Sequence, residues 1–156
     1  MKICVFSDSH GSKRNMIAAL ELEKPSACFF LGDGERDFDE IMERYPSLKC
    51  HSVKGNCDFM SFAKNRLICE IEGVRIYATH GHKDDVKHEP DYHTLELNAK
   101  NAGAELAMFG HTHEQYLSER DGLTLLNPGS IGYGTYPAYA VVDIEKGRFS
   151  AELKAL

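Results

Sequence analysis

The chain has 156 residues, 42% hydrophobic and 27% charged, which is enough apolar material for one domain, 1–156, with a real core. Its formal net charge of -6 argues against a general binder of nucleic acid or of membrane surfaces. No run approaches the roughly 18–20 apolar residues of a membrane-spanning helix, and the N-terminal apolar stretch is too short for a signal peptide.

Residues 2–7 (KICVFS) read as a short buried strand. Residues 12–23 (SKRNMIAALELE) have helical spacing, with Ser12 as N-cap, Met16, Ile17 and Leu20 on one face, and Pro25 as the stop. Residues 27–31 (ACFFL) are a second buried strand, closed by Gly32-Asp33-Gly34. Residues 35–44 (ERDFDEIMER) form an acidic amphipathic helix that faces inward through Phe38, Ile41 and Met42. A third strand covers Cys50 to Val53 and is followed by Gly55-Asn56-Cys57-Asp58.

Beyond residue 65 the pattern changes. Arg66–Ile71 and Val74–Thr79 read as a hairpin turning at Glu72-Gly73, with its second strand running into His80-Gly81-His82. Residues 83–92 are polar and broken by Pro90, hence a loop. Residues 93–102 form a helix closed by Gly103, and Ala104–Phe109 a buried strand that ends at Gly110-His111-Thr112-His113. Two hairpins complete the chain: Gln115–Glu119 with Leu123–Leu126, and Tyr139–Ile144 with Arg148–Leu153. Alternating strands and helices favour parallel pairing, and hairpins favour antiparallel pairing. Two sheets packed face to face with helices outside satisfy both. The five cysteines (Cys4, Cys28, Cys50, Cys57, Cys69) contain no C-x-x-C pair, so a reduced, cytoplasmic chain with mostly buried thiols is expected.

One event recurs along the chain: an apolar strand ends and a potential metal ligand follows. The set is Asp8, His10, Asp33, Asn56, His80, His111 and His113. Strands laid side by side would bring all seven to one rim. Alternate residues on extended backbone point the same way, so Asp8/His10 and His111/His113 would each present a pair. Carboxylates, imidazoles and an amide oxygen suit divalent manganese, iron or zinc rather than a thiolate-bound structural zinc. Seven ligands are too many for one tetrahedral ion and fit two ions if Asp33, the lone acid on its strand end, bridges them. Such a pair would lower the pKa of bound water and clamp phosphoryl oxygens.

The stretches SDSHG (7–11), LGDGE (31–35), GNCD (55–58), THGH (79–82), GHTH (110–113) and NPGS (127–130) stand in the order found in the calcineurin-like metallophosphoesterase superfamily. The sequence resembles its small bacterial and archaeal phosphodiesterases over nearly the whole chain. The resemblance implies an α/β (α+β) fold, a four-layer αββα sandwich of two mixed sheets flanked by helices. It also implies a dinuclear site in which Asp8, His10 and His113 take one metal, Asn56, His80 and His111 take the other, and Asp33 bridges. A bridging hydroxide would attack phosphorus, with Asn127 to Ser130 beside the site. Two divalent ions are expected, manganese first, with nickel, iron or zinc as alternatives.

Much of the superfamily has histidine where this chain has Cys57. The small phosphodiesterase branch resembles it in having cysteine there, so Cys57, His82 and water all stand as donors to the leaving group. Asp58 is read as orienting its loop or a neighbouring group. An arginine expected soon after NPGS is replaced by the run IGYGTYP, leaving Lys13 and Arg14 as substitutes for holding phosphate. Tyr133 and Tyr136 are candidates for shaping a pocket, whereas His51, His88 and His93 are assigned to the surface or to packing. The expected substrate is a small phosphodiester. Neither a membrane nor a long nucleic acid is an expected partner, and exposed hairpin edges offer a route to homo-oligomers. Two alternatives compete: a non-catalytic protein-interaction scaffold on the same fold, like the retromer subunit that resembles this family, and a phosphomonoesterase.

Overall fold

The computed structural model describes all 156 residues. The first half runs β1 (Lys2–Phe6), α1 (Lys13–Glu23), β2 (Ala27–Phe30), α2 (Glu35–Arg44) and β3 (Lys49–Ser52). The second half runs β4 (Arg66–Ile71), β5 (Val74–Thr79), α3 (His93–Asn101), β6 (Leu106–Met108), β7 (Gln115–Arg120), β8 (Leu123–Pro128), β9 (Ala138–Glu145) and β10 (Arg148–Ala155).

The three strands of the first half pair in parallel, with Cys4 opposite Cys28 and Cys28 opposite Cys50. The last hairpin returns to β1, where β9 pairs antiparallel, giving a sheet ordered β10-β9-β1-β2-β3. The other sheet is ordered β4-β5-β6-β8-β7, with its three central strands parallel and its two edges antiparallel. Both sheets are therefore mixed.

Successive side chains of a strand point to opposite faces. In β1 and β2 both faces are apolar, because both are covered. Ile3, Val5 and Phe29 meet Ile76, Ala78, Leu106 and Met108 across the gap between the sheets. Phe6, Cys28 and Phe30 face the other way, onto Met16 and Leu20 of α1 and Phe38 and Ile41 of α2. The outer face of the second sheet, through Tyr77 and Ala107, is covered by Leu95 and Ala99 of α3. The layers run helix pair, sheet, sheet, helix, which is the expected four-layer sandwich. No helix is long and apolar enough to cross a membrane.

Several local expectations shift. Ser12 precedes α1 but makes no side-chain cap. The strand expected over Ala104–Phe109 shrinks to three residues, since Ala104 N–H bonds back to Ala99 and closes the helix end instead. Met42 is exposed rather than inward. It stands one residue beyond buried Ile41, a turn of ~100° about the helix axis. Of the five thiols, only Cys4 and Cys28 are fully buried; Cys50 and Cys69 are half-buried and Cys57 is exposed.

The two environments separate two alanine substitutions. Ile76→Ala, in the core between the sheets, is expected to cost about 2–5 kcal/mol by urea denaturation. Met42→Ala is expected to stay within about 0.5 kcal/mol of the parent.

Candidate metal centre

The carboxyl ends of strands from both sheets meet at one rim. Asp8 follows β1, Asp33 follows β2, Asn56 lies four residues after β3, His80 directly follows β5, and His111 and His113 follow β6. The chain turns sharply at each place. Asp8, His10, Asp33, His111 and His113 all have left-handed backbone, with φ between 43° and 68°. Left-handed conformation is uncommon for residues other than glycine and concentrates at functional sites. The paired residues are thus brought together by turns and not by strand alternation. One consequence is that His111 and His113 face different parts of the site.

The donor atoms gather in two groups. Asp8, His10 and His113 form one, and Asp33, His80 and His111 the other, with ligand-type atoms in each lying within 4.8 Å of one another. In the first, Asp8 Oδ1 is 3.1 Å from His113 Nε2 and 3.7 Å from His10 Nε2. In the second, His80 Nε2 lies 3.0 Å from Asn56 Oδ1, 3.1 Å from His111 Nδ1 and 3.4 Å from Asp33 Oδ2. Asp33 Oδ2 is also 3.9 Å from His10 Nε2, so this one oxygen stands between the groups.

The proton inventory is the informative part. His80 Nδ1 lies 2.7 Å from the Leu31 carbonyl, an acceptor only, so Nδ1 carries the hydrogen and Nε2 of the neutral ring offers a lone pair. That lone pair faces a carboxylate oxygen, an amide oxygen and another imidazole. The buried His10 Nε2 has no hydrogen-bond partner. His10 Nε2, unpartnered between two carboxylates, is the arrangement a cation stabilises, and these O and N atoms fit divalent first-row ions.

A second layer of contacts fixes the acids. Asp8 Oδ2 accepts from Ser7 Oγ (2.5 Å) and His111 N–H (3.0 Å), which leaves Oδ1 to face the rings. Asp33 Oδ1 accepts from Cys57 N–H at 2.7 Å, which leaves Oδ2 free in the same way. Buried Asp58 accepts four N–H groups, from Asp33 (2.8 Å), Gly34 (2.9 Å), Glu35 (3.0 Å) and Gly55 (2.9 Å). It ties two ligand loops together and is turned away from the donor groups. Asn127 donates to Gly110 O and Thr112 Oγ1, and Ser130 Oγ donates to Asp8 O, so the 127–130 run braces the loops of Asp8 and His111. Two glycines are required by close approach. A Cβ on Gly55 would lie 2.1 Å from Asp33 Oδ1, and one on Gly110 would lie 1.9 Å from Ser7 Oγ.

Burial by itself would raise the Asp8 and Asp33 carboxyls. For Asp8 the His113 hydrogen bond and the charge on His80 outweigh it, and for Asp33 His80 and the Cys57 amide do. Both carboxyls therefore titrate below their ordinary values. Burial would push His80 down, but Asp33 and Asp8 reverse this and raise it. Burial and then the charges on His80 and Lys87 press His111 down to about 4. His82 is lowered by burial, His80 and Lys83. The Cys57 thiol is pushed up to about 11, first by burial and then by Asp33.

The cleft over these donors has a volume of about 270 Å³ and is lined in part by Asn56, Cys57, Lys87, His111 and Tyr133. Cys57 fronts this cleft. His82 does not; its ring packs 5.4 Å from His80 and 6.2 Å from His111. Tyr133 stacks on His113 at 5.3 Å, whereas Tyr136 is simply exposed. Lys13 is ion-paired with Glu40 of α2 and faces another surface groove, and Arg14 is an exposed helix residue outside the cleft. Neither takes the place of the expected arginine. The cation that does line the cleft is Lys87, which the sequence reading passed over inside the polar 83–92 stretch. Its only sequence signal is its position five residues after His82. His51 stacks on Phe29 at 4.6 Å, His88 and His93 are exposed, and none of the three lines the cleft.

Comparison with known proteins bears on this arrangement. Residues 1–147 match the family model described as the calcineurin-like phosphoesterase superfamily domain. A probable metallophosphoesterase of Bacillus subtilis, YsnB, is 30% identical over 93% of this chain and 85% of its own length. Phosphodiesterase MJ0936 of Methanocaldococcus jannaschii is 26% identical over 96% of each chain. The crystal structure of a predicted phosphoesterase from Streptococcus pneumoniae superposes with a TM-score of 0.82 at 30% identity, covering 99% of this chain and 88% of that one.

The brace at Asp58 yields a prediction independent of any metal. Asp58→Ala is expected to leave four amides without their acceptor, at about 1–3 kcal/mol or more. Amide hydrogen exchange should accelerate at Asp33, Gly34, Glu35 and Gly55, with α3 unaffected. Unchanged exchange at those four amides would remove Asp58 from this role.

Proposed function

The chain belongs to the calcineurin-like phosphoesterase superfamily, and on that premise we propose that it hydrolyses phosphodiester bonds at a pair of divalent metal ions. The observation that carries this reading is the convergence of seven lone-pair donors in two groups sharing Asp33 Oδ2. Asp8, His10 and His113 would hold one ion, and Asn56, His80 and His111 the other, with Asp33 common to both. Bound there, the ions would supply the Lewis acidity that makes water nucleophilic near neutral pH and offsets phosphoryl charge. Manganese is the first ion to test, followed by nickel, iron and zinc.

The protein's own groups do the rest. His80 keeps its proton on Nδ1 against Leu31 O and presents Nε2 to the site. Lys87 supplies a positive charge over the cleft for a non-bridging phosphoryl oxygen. Cys57, the one sequence-nominated acid that fronts the cleft, or a solvent water protonates the leaving oxygen. His82 does not line the cleft and packs its ring against His80 and His111. A diester is favoured over a monoester because Lys87 is the one lysine or arginine lining this cleft, and a monoester's additional charge calls for more. The phosphodiesterase named among the relatives points the same way.

The decisive assay uses chelator-stripped protein with manganese restored in steps, on bis(4-nitrophenyl) phosphate and on 4-nitrophenyl phosphate. Turnover that depends on metal and favours the diester is the expected result. Preference for the monoester would replace the reading with a phosphomonoesterase, and no turnover with any of the four metals would favour an interaction scaffold. His111→Ala and His113→Ala should each lower bound manganese and largely abolish turnover. If His111→Ala keeps full activity and two metals, the ligand assignment is wrong. Lys87→Ala should raise KM for the diester about tenfold, equivalent to about 1.4 kcal/mol, with a smaller change in kcat and no loss of metal.

A further inference from the structure

The cleft continues past the metal ligands. Beyond His10, Asp33 and Cys57 it opens into a side chamber of about 390 Å³, walled by Phe59 and Met60 of the loop after β3 and by Arg36 from the first turn of α2. The volume lies within the range of small-molecule sites. Phe59 and Met60 are 83% and 87% exposed, and Phe62 on the same loop is fully exposed. Single exposed apolar side chains are ordinary; three within four residues, two of them walling a polar chamber, are a recognition feature.

The loop that carries them is tied down. Asp58 anchors its start through four amides. Ser61 N–H donates to Asp58 O, Ser61 Oγ donates to Glu35 Oε1 at 2.5 Å, and Ala63 N–H donates to Ser61 Oγ. The apolar tips are thus held outward on a fixed frame.

The charges of the chamber select among ligands. Glu35, Asp37 and Asp58 line it, against Arg36 as its one permanent cation. That balance disfavours a second phosphate there and directs phosphoryl charge back toward Lys87 and the ligand cluster. An uncharged planar ring fits the apolar wall. Arg36 can stack on a ring or donate to its edge, and the second oxygens, Glu35 Oε2 and Asp37 Oδ1, are left as acceptors once Ser61, Ser9 and Gly11 have taken the first, a combination suited to a heteroaromatic ring rather than a plain phenyl.

We propose that this chamber seats the nucleobase of a nucleoside-bearing phosphodiester, stacked against Phe59 and Met60 and met by Arg36. The proposal rests on the phosphodiesterase reading and names its substrate class.

The test is equilibrium binding to manganese-loaded protein, by calorimetry, of orthophosphate, ribose 5-phosphate and nucleoside 5′-monophosphates. The monophosphates share the phosphate and ribose of ribose 5-phosphate and carry a base in place of its anomeric hydroxyl. They should bind about tenfold tighter, the scale of one base–aromatic stack. That ratio should fall toward one in Phe59→Ala, fall in Arg36→Ala, and persist in Phe62→Ala, whose side chain lies outside the chamber. Equal binding of ribose 5-phosphate and the nucleotides, or an unchanged ratio in Phe59→Ala, would overturn the proposal while leaving metal-dependent phosphate binding intact. Absence of manganese-dependent binding by every ligand, orthophosphate included, would instead remove the phosphodiesterase reading and this proposal with it. Concentration-dependent self-association by sedimentation that Phe59→Ala abolishes, with no base preference, would reassign the loop to contact between copies.

Discussion

Two carboxylates, an amide oxygen and four imidazoles converge on this site, and the surrounding structure holds them there. His80 Nε2 faces oxygens and an imidazole nitrogen, and His10 Nε2 faces two carboxylates without a hydrogen bond of its own. Such an arrangement is costly unless a cation or a proton fills it. The upward shift at His80 is the proton's version of that answer. The left-handed turns, the close-packed glycines and the braces from Ser7, Asp58, Asn127 and Ser130 all hold acceptors where relaxation would separate them.

The four-layer sandwich is what makes this enforceable. Each sheet is covered on both faces, so the ends of its central strands have little room to move. The two sheets present carboxyl ends to the same rim, and β1 and β2 contribute the acids while β5 and β6 contribute most of the imidazoles. Acid and base components thus come from opposite sides of one apolar core. A change deep between the sheets would be felt as a change in spacing between Asp33 and His80.

Much of this was legible in the sequence, because its signals are local. A strand ending in a glycine or polar turn with Asp, Asn or His beside it can be recognised at each occurrence, and the order of the motifs adds the fold. The layers and both hairpin-bearing sheets follow from alternation and turn residues. What escaped was set by tertiary context. The motifs name the partners but not the means: strand alternation would pair Asp8 with His10 and His111 with His113, whereas left-handed turns place them. Lys87 is one lysine in a polar loop until the loop folds over the cleft. Met42 has the right spacing for burial, yet α2 meets its neighbours through a narrower stripe at Phe38 and Ile41. Phe59 and Met60 lack any periodic neighbour, so pattern reading gave them no side to face.

The return of the last hairpin to the first strand has a temporal meaning. β1 pairs with β9, Lys2 opposite Asp143, and Asp8 meets the backbone of His111 and the ring of His113 across 103 and 105 residues of chain. Contacts of such separation form late, after much loop-closure entropy has been overcome. The leading βαβαβ segment carries Asp8, His10 and Asp33, while their partners His80, His111 and His113 all lie in the later half of the chain. The two donor groups therefore depend on contacts of long sequence separation, which only the closed sandwich supplies.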